Sequence, residues 1–207
     1  MTPYLYPKVR HVRSQTPPAY VNYKKFKPTL RIEFDRKCVY CRDPDTVAPN
    51  SHGYGVDHYR PQNKFPELSA DYGNLFYCCN ACNAKKRDYW PMPSQITRLF
   101  IPNPCDHVMF EHLRFNGSSV VSRTEAGEFT SERLDLNEPA RLKYRENLHL
   151  AIKVFEDRLH QYSNELNSLF TRIAEGSVSG TDAADVTDDL ETQINGLQTN
   201  LDRWMGN

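Results

Sequence analysis

Four of the six cysteines are paired in two short motifs that suit a metal ion. The pairs are Cys38-Val-Tyr-Cys41 and Cys79-Asn-Ala-Cys82. A C-x-x-C turn presents two thiolates side by side, and two such turns complete the tetrahedral coordination that structural Zn²⁺ prefers. We therefore predict a structural zinc site with no open position for water. A metal ion that does chemistry would have to bind elsewhere.

Two alternatives to this arrangement stay open in the sequence. Six cysteines could form three disulfides, but the paired spacing and the lack of an apolar export segment favour metal binding. Cys78 precedes Cys79 and has a C-x-x-x-C spacing to Cys82, which makes it a second candidate ligand. The two-residue spacing favours Cys79, and we expect Cys78 and Cys105 to be small buried side chains.

The segment between the two cysteine pairs carries a second set of polar residues. It contains Gly53-Tyr-Gly-Val-Asp57-His58-Tyr-Arg-Pro61 and then Asn74, and Asn83-Ala-Lys85 follows the last paired cysteine. In this order, and with the two C-x-x-C motifs, these residues resemble the HNH endonuclease family over about residues 38 to 90. The family pattern has Asp-His-x-x-Pro, an internal Asn, and Cys-x-x-Cys followed by His or Asn and a Lys.

The resemblance implies an α+β fold with a ββα-metal core. Asp57 and His58 would lie on a hairpin and a helix would start near Asn83, with one Mg²⁺ or Mn²⁺ between them. Asp57 and Asn83 would be oxygen ligands of this ion, which leaves positions for water and a phosphate oxygen. His58 would be the general base that takes a proton from the attacking water. Asn74 would hold the loop and help to orient His58.

The sequence departs from the family pattern at its last position, where Asn83 replaces the more frequent His. An amide oxygen is a hard ligand, so we expect Mg²⁺ chemistry to be retained. Asp57 and His58 are neighbours, and neighbours on an ideal strand face opposite sides. We therefore expect the strand to end or bend at this point, between Gly55 and Pro61.

Basic side chains near these residues are candidates for phosphate contacts. They are Arg60, Lys64, Lys85, Lys86 and Arg87. For each of them an ordinary solvated position on the surface is the alternative. Lys85 is the strongest candidate because we align it with the Lys position of the HNH pattern.

The regions that must position these groups differ in composition. Residues 1–29 are rich in proline and lack periodicity, which predicts an extended basic arm. Residues 30–93 are the expected nuclease core, small and supported by zinc. Residues 94–135 would connect this core to the rest of the chain. There, Ser-Ser-Val-Val-Ser-Arg predicts a short hairpin, and Asn-Pro-Cys-Asp and Glu-Ala-Gly-Glu are turn signals.

Residues 136–207 are predicted to be mainly helical. One apolar stripe marks a helix that begins near Pro139, and a second follows a break at residues 176–182, behind a cap at Thr181 or Asp182. The first stripe comprises Leu148, Ile152, Phe155, Leu159, Tyr162, Leu166, Leu169 and Ile173; the second comprises Val186, Leu190, Ile194, Leu197, Leu201 and Trp204. Two helices joined by a short loop predict an antiparallel hairpin, which packs within the protein or forms a partner interface.

The formal net charge is zero, but the charges are unevenly distributed. Residues 1–42 carry ten Lys or Arg against two acids, whereas residues 174–207 carry one basic residue against seven acids. The basic part suits nucleic-acid phosphates, and the aromatic residues of Tyr-Val-Asn-Tyr-Lys-Lys-Phe-Lys could stack on unpaired bases. The acidic part would face solvent or a protein partner. No segment approaches the roughly 18 to 20 apolar residues of a membrane span, so we expect a cytoplasmic protein.

The wider layout resembles the antiphage HNH nucleases of Septu and retron-associated systems. The resemblance runs through LRIEFDRKCVYC, VDHYRP, GNLFYCCNACNAKKRDYWP and RLDLNEPARLKYRENL. It implies the nuclease subunit of a defence complex with an ATPase of the PtuA type, which would dock on the helical region. The nucleic-acid substrate, DNA or an RNA such as tRNA, stays open, as does a homo-oligomer within the complex.

Two other function classes compete with this interpretation. A free-standing restriction or homing-type HNH endonuclease would need its own specificity element, and no helix-turn-helix or second zinc module is evident in the sequence. A catalytically silent zinc module that only binds nucleic acid would not require Asp57, His58 and Asn83. The presence of all three favours the enzyme.

Overall fold

The structure is a computed structural model that describes residues 2–46 and 53–205. Contacts divide this part of the chain into two compact units, Thr2–Glu146 and Asn147–Met205. Within the described ranges, no helix combines the length and the apolar character that a membrane span requires.

The first unit is built around an antiparallel pair of strands that is followed at once by a helix. Strand β1 (Tyr54–His58) pairs with β2 (Leu75–Cys79), and α2 (Asn80–Lys86) begins directly after β2. All five β2 residues are buried, which fits their unbroken apolar sequence. The Cys79 side chain accepts a backbone hydrogen bond and so caps α2. The helix therefore begins three residues before the start that we predicted near Asn83.

The N-terminal segment is extended as far as a 3-10 turn at Tyr23–Phe26, which leads into α1 (Lys27–Glu33). The helix thus begins inside the arm that we predicted for residues 1–29. The extended part packs against the core, since the Tyr6 hydroxyl is buried and donates to the Tyr40 carbonyl at 2.7 Å.

The buried Glu33 carboxylate fixes the extended segment to α1. It accepts hydrogen bonds from the backbone N–H groups of Ser14 and Gln15, from His11 and from the Tyr72 hydroxyl. Burial acts to raise the pKa of Glu33, but these donors outweigh it and lower the pKa to about 2. Residues 11–15 are therefore part of the folded unit.

The connecting region contains the predicted hairpin and two helices that we did not predict. The elements are α3 (Met109–His112), β3 (Leu113–Asn116), β4 (Ser119–Ser122) and α4 (Glu125–Arg133). Pairing of β3 with β4 confirms the hairpin. The expectation of a turn at Glu-Ala-Gly-Glu was wrong, because these residues form the first turn of α4. Gly127 is there for close packing, since a Cβ atom would lie 2.1 Å from the His112 carbonyl oxygen.

Two long helices follow, α5 (Pro139–Ala174) and α6 (Gly180–Met205). The start of α5 confirms the prediction at Pro139. The α6 helix begins one residue before Thr181, and the Ser179 side chain takes the role of the predicted cap.

Within the second unit α5 and α6 form the predicted antiparallel hairpin. The rings of Phe155 and Trp204 pack 4.6 Å apart, while Leu169 and Leu190 line one groove at the other end. Not every residue of the predicted stripe is covered, because Val186 is 52% exposed.

Candidate metal centre and catalytic cavity

The four paired cysteines meet in the structure. The sulfur atoms of Cys38, Cys41, Cys79 and Cys82 all lie within 4.8 Å of one another, and all four residues are buried. Across residues 2–46 and 53–205, no other cluster brings three or more His, Cys, Asp or Glu side chains together in this way. The cluster could hold a metal ion such as zinc in a closed tetrahedral site.

Cys78 lies beside this cluster but outside it. Its sulfur is 3.9 Å from the Cys38 sulfur, and its thiol donates to the Cys79 carbonyl at 3.3 Å. Cys78 is not among the four cysteines whose sulfur atoms all lie within 4.8 Å of one another. These contacts favour Cys79 as the ligand.

Charged groups surround the cysteine cluster. The Arg141 guanidinium, from the first turn of α5, donates to the Cys82 sulfur at 3.5 Å. On another side the Cys41 thiol lies 3.1 Å from an Asp43 carboxylate oxygen, and Asp43 is 3.4 Å from the buried Arg145. Two arginines of α5 thus face the cluster or its neighbour, which is favourable where thiolates accumulate negative charge.

A second feature is an open cavity of about 440 Å³ lined by Asp57, His58 and Asn83. Asp57 and His58 are the last two residues of β1, and the strand ends there as expected. Asn83 reaches the cavity from the middle of α2. Other polar residues also line the cavity: Gln62, Asn63, Arg87 and Asp88.

His58 is held in one tautomer by a backbone contact. Its Nε2 atom lies 2.9 Å from the Ser69 carbonyl oxygen. Because a carbonyl oxygen only accepts hydrogen bonds, Nε2 must carry the proton. In the neutral imidazole the Nδ1 lone pair is then free to accept a proton.

Asn74 ties together the loop that supports His58. Its side-chain oxygen accepts from the Arg60 backbone N–H at 2.8 Å, and its amide donates to the carbonyls of Arg60 and Leu68 at 3.1 and 3.3 Å. Leu68 immediately precedes Ser69, whose carbonyl holds His58. Asn74 is therefore one hydrogen bond and one residue away from the group that fixes the imidazole.

Asp57 is buried, with 2% of its surface exposed. One carboxylate oxygen accepts from the Lys86 ammonium at 3.0 Å, and the other accepts from the Tyr40 hydroxyl at 2.7 Å. Burial raises the pKa of Tyr40 well above its usual range, so the hydroxyl remains a donor. The Lys86 ammonium also donates to the His58 carbonyl at 2.7 Å. The carboxylate is thus firmly oriented, and its charge is offset.

The structure corrects the expectations for two adjacent lysines. Lys86 is 1% exposed and turned inward, so it has no access to a phosphate at the surface. Lys85 forms a solvent-exposed ion pair with Asp135 at 2.9 Å and does not line the cavity. The reason is helical phase: Asn83 and Lys86 are three residues apart and share a face, which Lys85 does not.

The other predicted basic residues differ in whether they line the cavity. Arg87 is exposed and lines the cavity. Lys64 is exposed on the loop after β1. Arg60 packs its guanidinium on Trp90 and Phe65, 5.5 and 5.8 Å from their ring centres, and lines a different cavity.

Three residues in contact with the site had not been identified from the sequence. Tyr40 donates to Asp57, Ser69 holds His58, and the ring of Tyr23 lies against His58. Tyr40 stands inside the first C-x-x-C motif, yet nothing in the spacing indicates where its hydroxyl points. Ser69 acts through its backbone, which leaves no signal in the residue type.

Comparison with known proteins identifies a distant relative. The protein named Septu protein PtuB from Bacillus thuringiensis is 27% identical to this chain over 122 residues, which are 57% of this chain and 45% of that protein. The matched part thus spans less than half of the relative's length. No family model matches the chain. No solved structure matches it. The similarity supports a distant relationship to the Septu proteins.

Proposed function

We propose that this chain is a metal-dependent endonuclease of the HNH kind that hydrolyses phosphodiester bonds in nucleic acid. The observation that carries the proposal is the convergence of Asp57, His58 and Asn83 on one open cavity, where β1 ends against α2. The pair of strands followed by a helix would be the ββα-metal core, and the buried cysteine cluster beside it would hold structural zinc.

The donor groups of the cavity suit a hard divalent cation. Asp57 and Asn83 offer oxygen atoms, and Mg²⁺ or Mn²⁺ needs few protein ligands because it retains bound water. Such an ion would polarise a phosphate oxygen and offset the charge that develops during hydrolysis. Each Asp57 oxygen has a second lone pair beyond its present hydrogen bond. The nearby Lys86 ammonium offsets the carboxylate charge, so we expect the cation to bind weakly.

In this proposal the protein's own groups carry the proton transfer. His58 accepts a proton from water at Nδ1, because the Ser69 carbonyl keeps the proton of the neutral ring on Nε2. Asn74 keeps that carbonyl in place through its bond to Leu68. Arg87 on the cavity wall is available to a phosphate oxygen. Lys64 is exposed and lies six residues after His58 in the sequence.

The similarity to a Septu protein supports a role in antiphage defence. We propose that the chain is the nuclease subunit of a cytoplasmic defence complex and that an ATPase partner of the PtuA type docks on the helical region, residues 136–207. The acidic character of residues 174–207 supports a protein partner for that region rather than nucleic acid. Lys85 and Lys86 have no proposed substrate contact.

The test is a cleavage assay on plasmid, single-stranded DNA and tRNA, with Mg²⁺, with Mn²⁺ or with neither. The wild type is compared with His58→Ala and with His160→Ala, a matched control at an exposed histidine of α5. We expect metal-dependent cleavage that falls at least 100-fold in His58→Ala, because general bases typically contribute that much or more. His160→Ala should cleave like the wild type.

Two outcomes would contradict the proposal. Undiminished cleavage by His58→Ala would remove His58 from the chemistry. A zinc-loaded wild-type protein that cleaves nothing, alone or with a co-purified ATPase, would favour a silent nucleic-acid-binding module.

A further inference from the structure

The catalytic cavity has an aromatic wall that hydrolysis does not explain. Tyr23 belongs to the 3-10 turn before α1 and lines the same cavity as Asp57, His58 and Asn83. Its ring meets the His58 imidazole edge to face, with centroids 4.5 Å apart and planes at 67°. Neither the proposed metal ligands nor the proton transfer needs a tyrosine at this place.

The turn that carries Tyr23 is anchored to the core. The Asn22 side chain accepts the Lys24 backbone N–H at 3.0 Å and caps the turn. Phe26 is 2% exposed and packs on Tyr20 and Tyr72, with ring centres 5.0 and 5.4 Å away. The backbone that carries Tyr23 is therefore held in place beside His58.

The same turn carries two lysines. Residues three apart in a 3-10 helix share a face, so Tyr23 and the buried Phe26 point together. Lys24 and Lys25 lie between them and are exposed. Arg87, from α2, is an exposed cation on the cavity wall. Arg87 therefore lines the cavity together with Tyr23, and Lys24 and Lys25 adjoin Tyr23 in the chain without lining the cavity themselves.

We propose that Tyr23, Lys24 and Lys25 contact the substrate, and that the substrate strand is unpaired where it passes the cavity. This proposal rests on the proposed nuclease function and names its substrate class. In a duplex the bases are stacked on one another in the interior, and the backbone that a nuclease approaches presents only sugar and phosphate. A base beside the scissile phosphate can stack on an aromatic ring only where it is unpaired. Exposed lysines next to the ring suit the flanking phosphates.

Binding without cleavage tests the proposal independently of the catalytic assay. The full zinc-loaded chain is titrated, without Mg²⁺ or Mn²⁺, into labelled single-stranded DNA and RNA oligonucleotides and into hairpin duplexes of the same sequence, and anisotropy is measured. We compare Tyr23→Phe, which keeps a stacking ring, with Tyr23→Leu, which keeps apolar bulk without one. The matched control is Tyr162→Leu, at a half-buried tyrosine of α5.

We expect the wild type to bind single strands of at least one sugar type more tightly than the duplexes. Tyr23→Leu should lose roughly ten-fold in affinity for that single strand, whereas Tyr23→Phe and Tyr162→Leu should stay within about two-fold. Duplex binding should not change in any variant. Equal affinity for both forms in the wild type, no binding of either form, or a Tyr23→Leu protein that binds like the wild type would overturn the proposal.

The contribution of Lys24 and Lys25 is measured separately, through the salt dependence of binding. Replacement of Lys24 and Lys25 by glutamine should weaken binding and reduce the slope of log affinity against log salt by about 0.7 for each single-strand phosphate that is no longer neutralised. Lys153→Gln, at an exposed lysine of α5, is the control and should leave the slope unchanged. An unchanged slope in the Lys24 and Lys25 variant would remove both lysines from the substrate interface. If the binding results are as expected but no cleavage depends on His58, the proposed nuclease activity would be contradicted and the proposed binding of unpaired strands would stand.

Discussion

The cysteine cluster and the cavity lined by Asp57, His58 and Asn83 share one short helix, yet they offer opposite chemistry. Cys82 and Asn83 are consecutive residues of α2, and they point about 100° apart around the helix axis. The Cys82 sulfur lies in a sealed cluster of soft ligands, whereas Asn83 lines an open cavity with oxygen donors and an imidazole. One turn of helix thus serves a closed centre that can stabilise the fold and an open one that can admit water and substrate.

This difference separates the expected effects of substitution. Damage to the closed centre should remove both fold and activity, because it holds β2 and α2 in place. Damage to the open cavity should remove activity and leave the fold. Asp57 and Lys86 lie at the boundary, since they line or adjoin the cavity while being buried and paired like core residues.

Loss of a cysteine ligand should have the largest effect. We expect Cys79→Ser to lose the bound metal and to leave the first unit unfolded at 37 °C, because structural zinc supplies much of the folding free energy of a small core. Zinc content by mass spectrometry and a thermal melt by circular dichroism measure both effects. Cys105→Ser is the matched control and should retain about one zinc ion per chain. A folded Cys79→Ser protein without metal would contradict this expectation, because the cysteine cluster would then be dispensable for folding.

Breaking the buried ion pair between Lys86 and Asp57 should have the second-largest effect. Lys86→Met removes the ammonium that donates to Asp57 and to the His58 carbonyl, and it leaves a buried carboxylate with one partner fewer. Loss of one partner of a buried pair costs about 3 to 5 kcal/mol, so we expect that fall in the free energy of unfolding in urea.

The adjacent Lys85 provides the control for this variant. Lys85→Met breaks an exposed pair with Asp135 and should cost less than about 1 kcal/mol. Equal losses in the two variants would mean that Lys86 is not buried against Asp57.

Asn74 should show a smaller effect on stability together with an effect on activity. Asn74→Ala removes the bonds to the Arg60 backbone and to the Leu68 carbonyl, and we expect a loss of about 2 to 3 kcal/mol. The loop would then hold Ser69 and His58 less firmly, so cleavage should fall by roughly ten-fold or more. Asn195→Ala, at an exposed asparagine of α6, should change neither quantity. Unchanged cleavage by a destabilised Asn74→Ala protein would remove Asn74 from the support of His58.

The cysteine cluster and the long helices could be predicted because their signals are local. The C-x-x-C spacing determines which sulfur atoms a turn presents. Apolar residues that recur every three or four positions predicted α5, and Pro139 indicated where it begins. The short helix α2 was harder, because its length left the start uncertain. Once Asn83 is placed on it, a residue three positions further on must share its face, and this rule identifies Lys86 rather than Lys85.

Contacts between distant segments could not be predicted in this way. Gly127 was interpreted as a turn signal, but its absence of a side chain admits the His112 carbonyl, and only the packing of α3 against α4 reveals that. Tyr40 and Ser69 reach Asp57 and His58 through a hydroxyl and a backbone carbonyl whose directions depend on the folded chain. The role of the buried Glu33 in fixing the extended segment has the same origin.

Glu33 gives the smallest effect, and it lies in neither centre. The donors from Ser14, Gln15, His11 and Tyr72 lower its pKa to about 2, below the value of about 4.3 in an unfolded chain. A carboxylate with a lowered pKa contributes stability above its unfolded pKa and loses it as the pH falls toward its folded pKa. The wild type should therefore be more stable than Glu33→Gln by about 1 to 3 kcal/mol at pH 7, and this difference should shrink below about pH 4.5.

The difference between the two proteins is the quantity to measure, since acid also protonates the cysteine ligands and releases metal in both. That contribution is common to wild type and Glu33→Gln and cancels when their unfolding free energies are subtracted at each pH. A difference that stays constant from pH 7 to about pH 3 would mean that Glu33 is not held as a hydrogen-bonded carboxylate. A Glu33→Gln protein that loses zinc at pH 7 would show that the N-terminal segment supports the closed centre as well, and the separation between the two centres would then need revision.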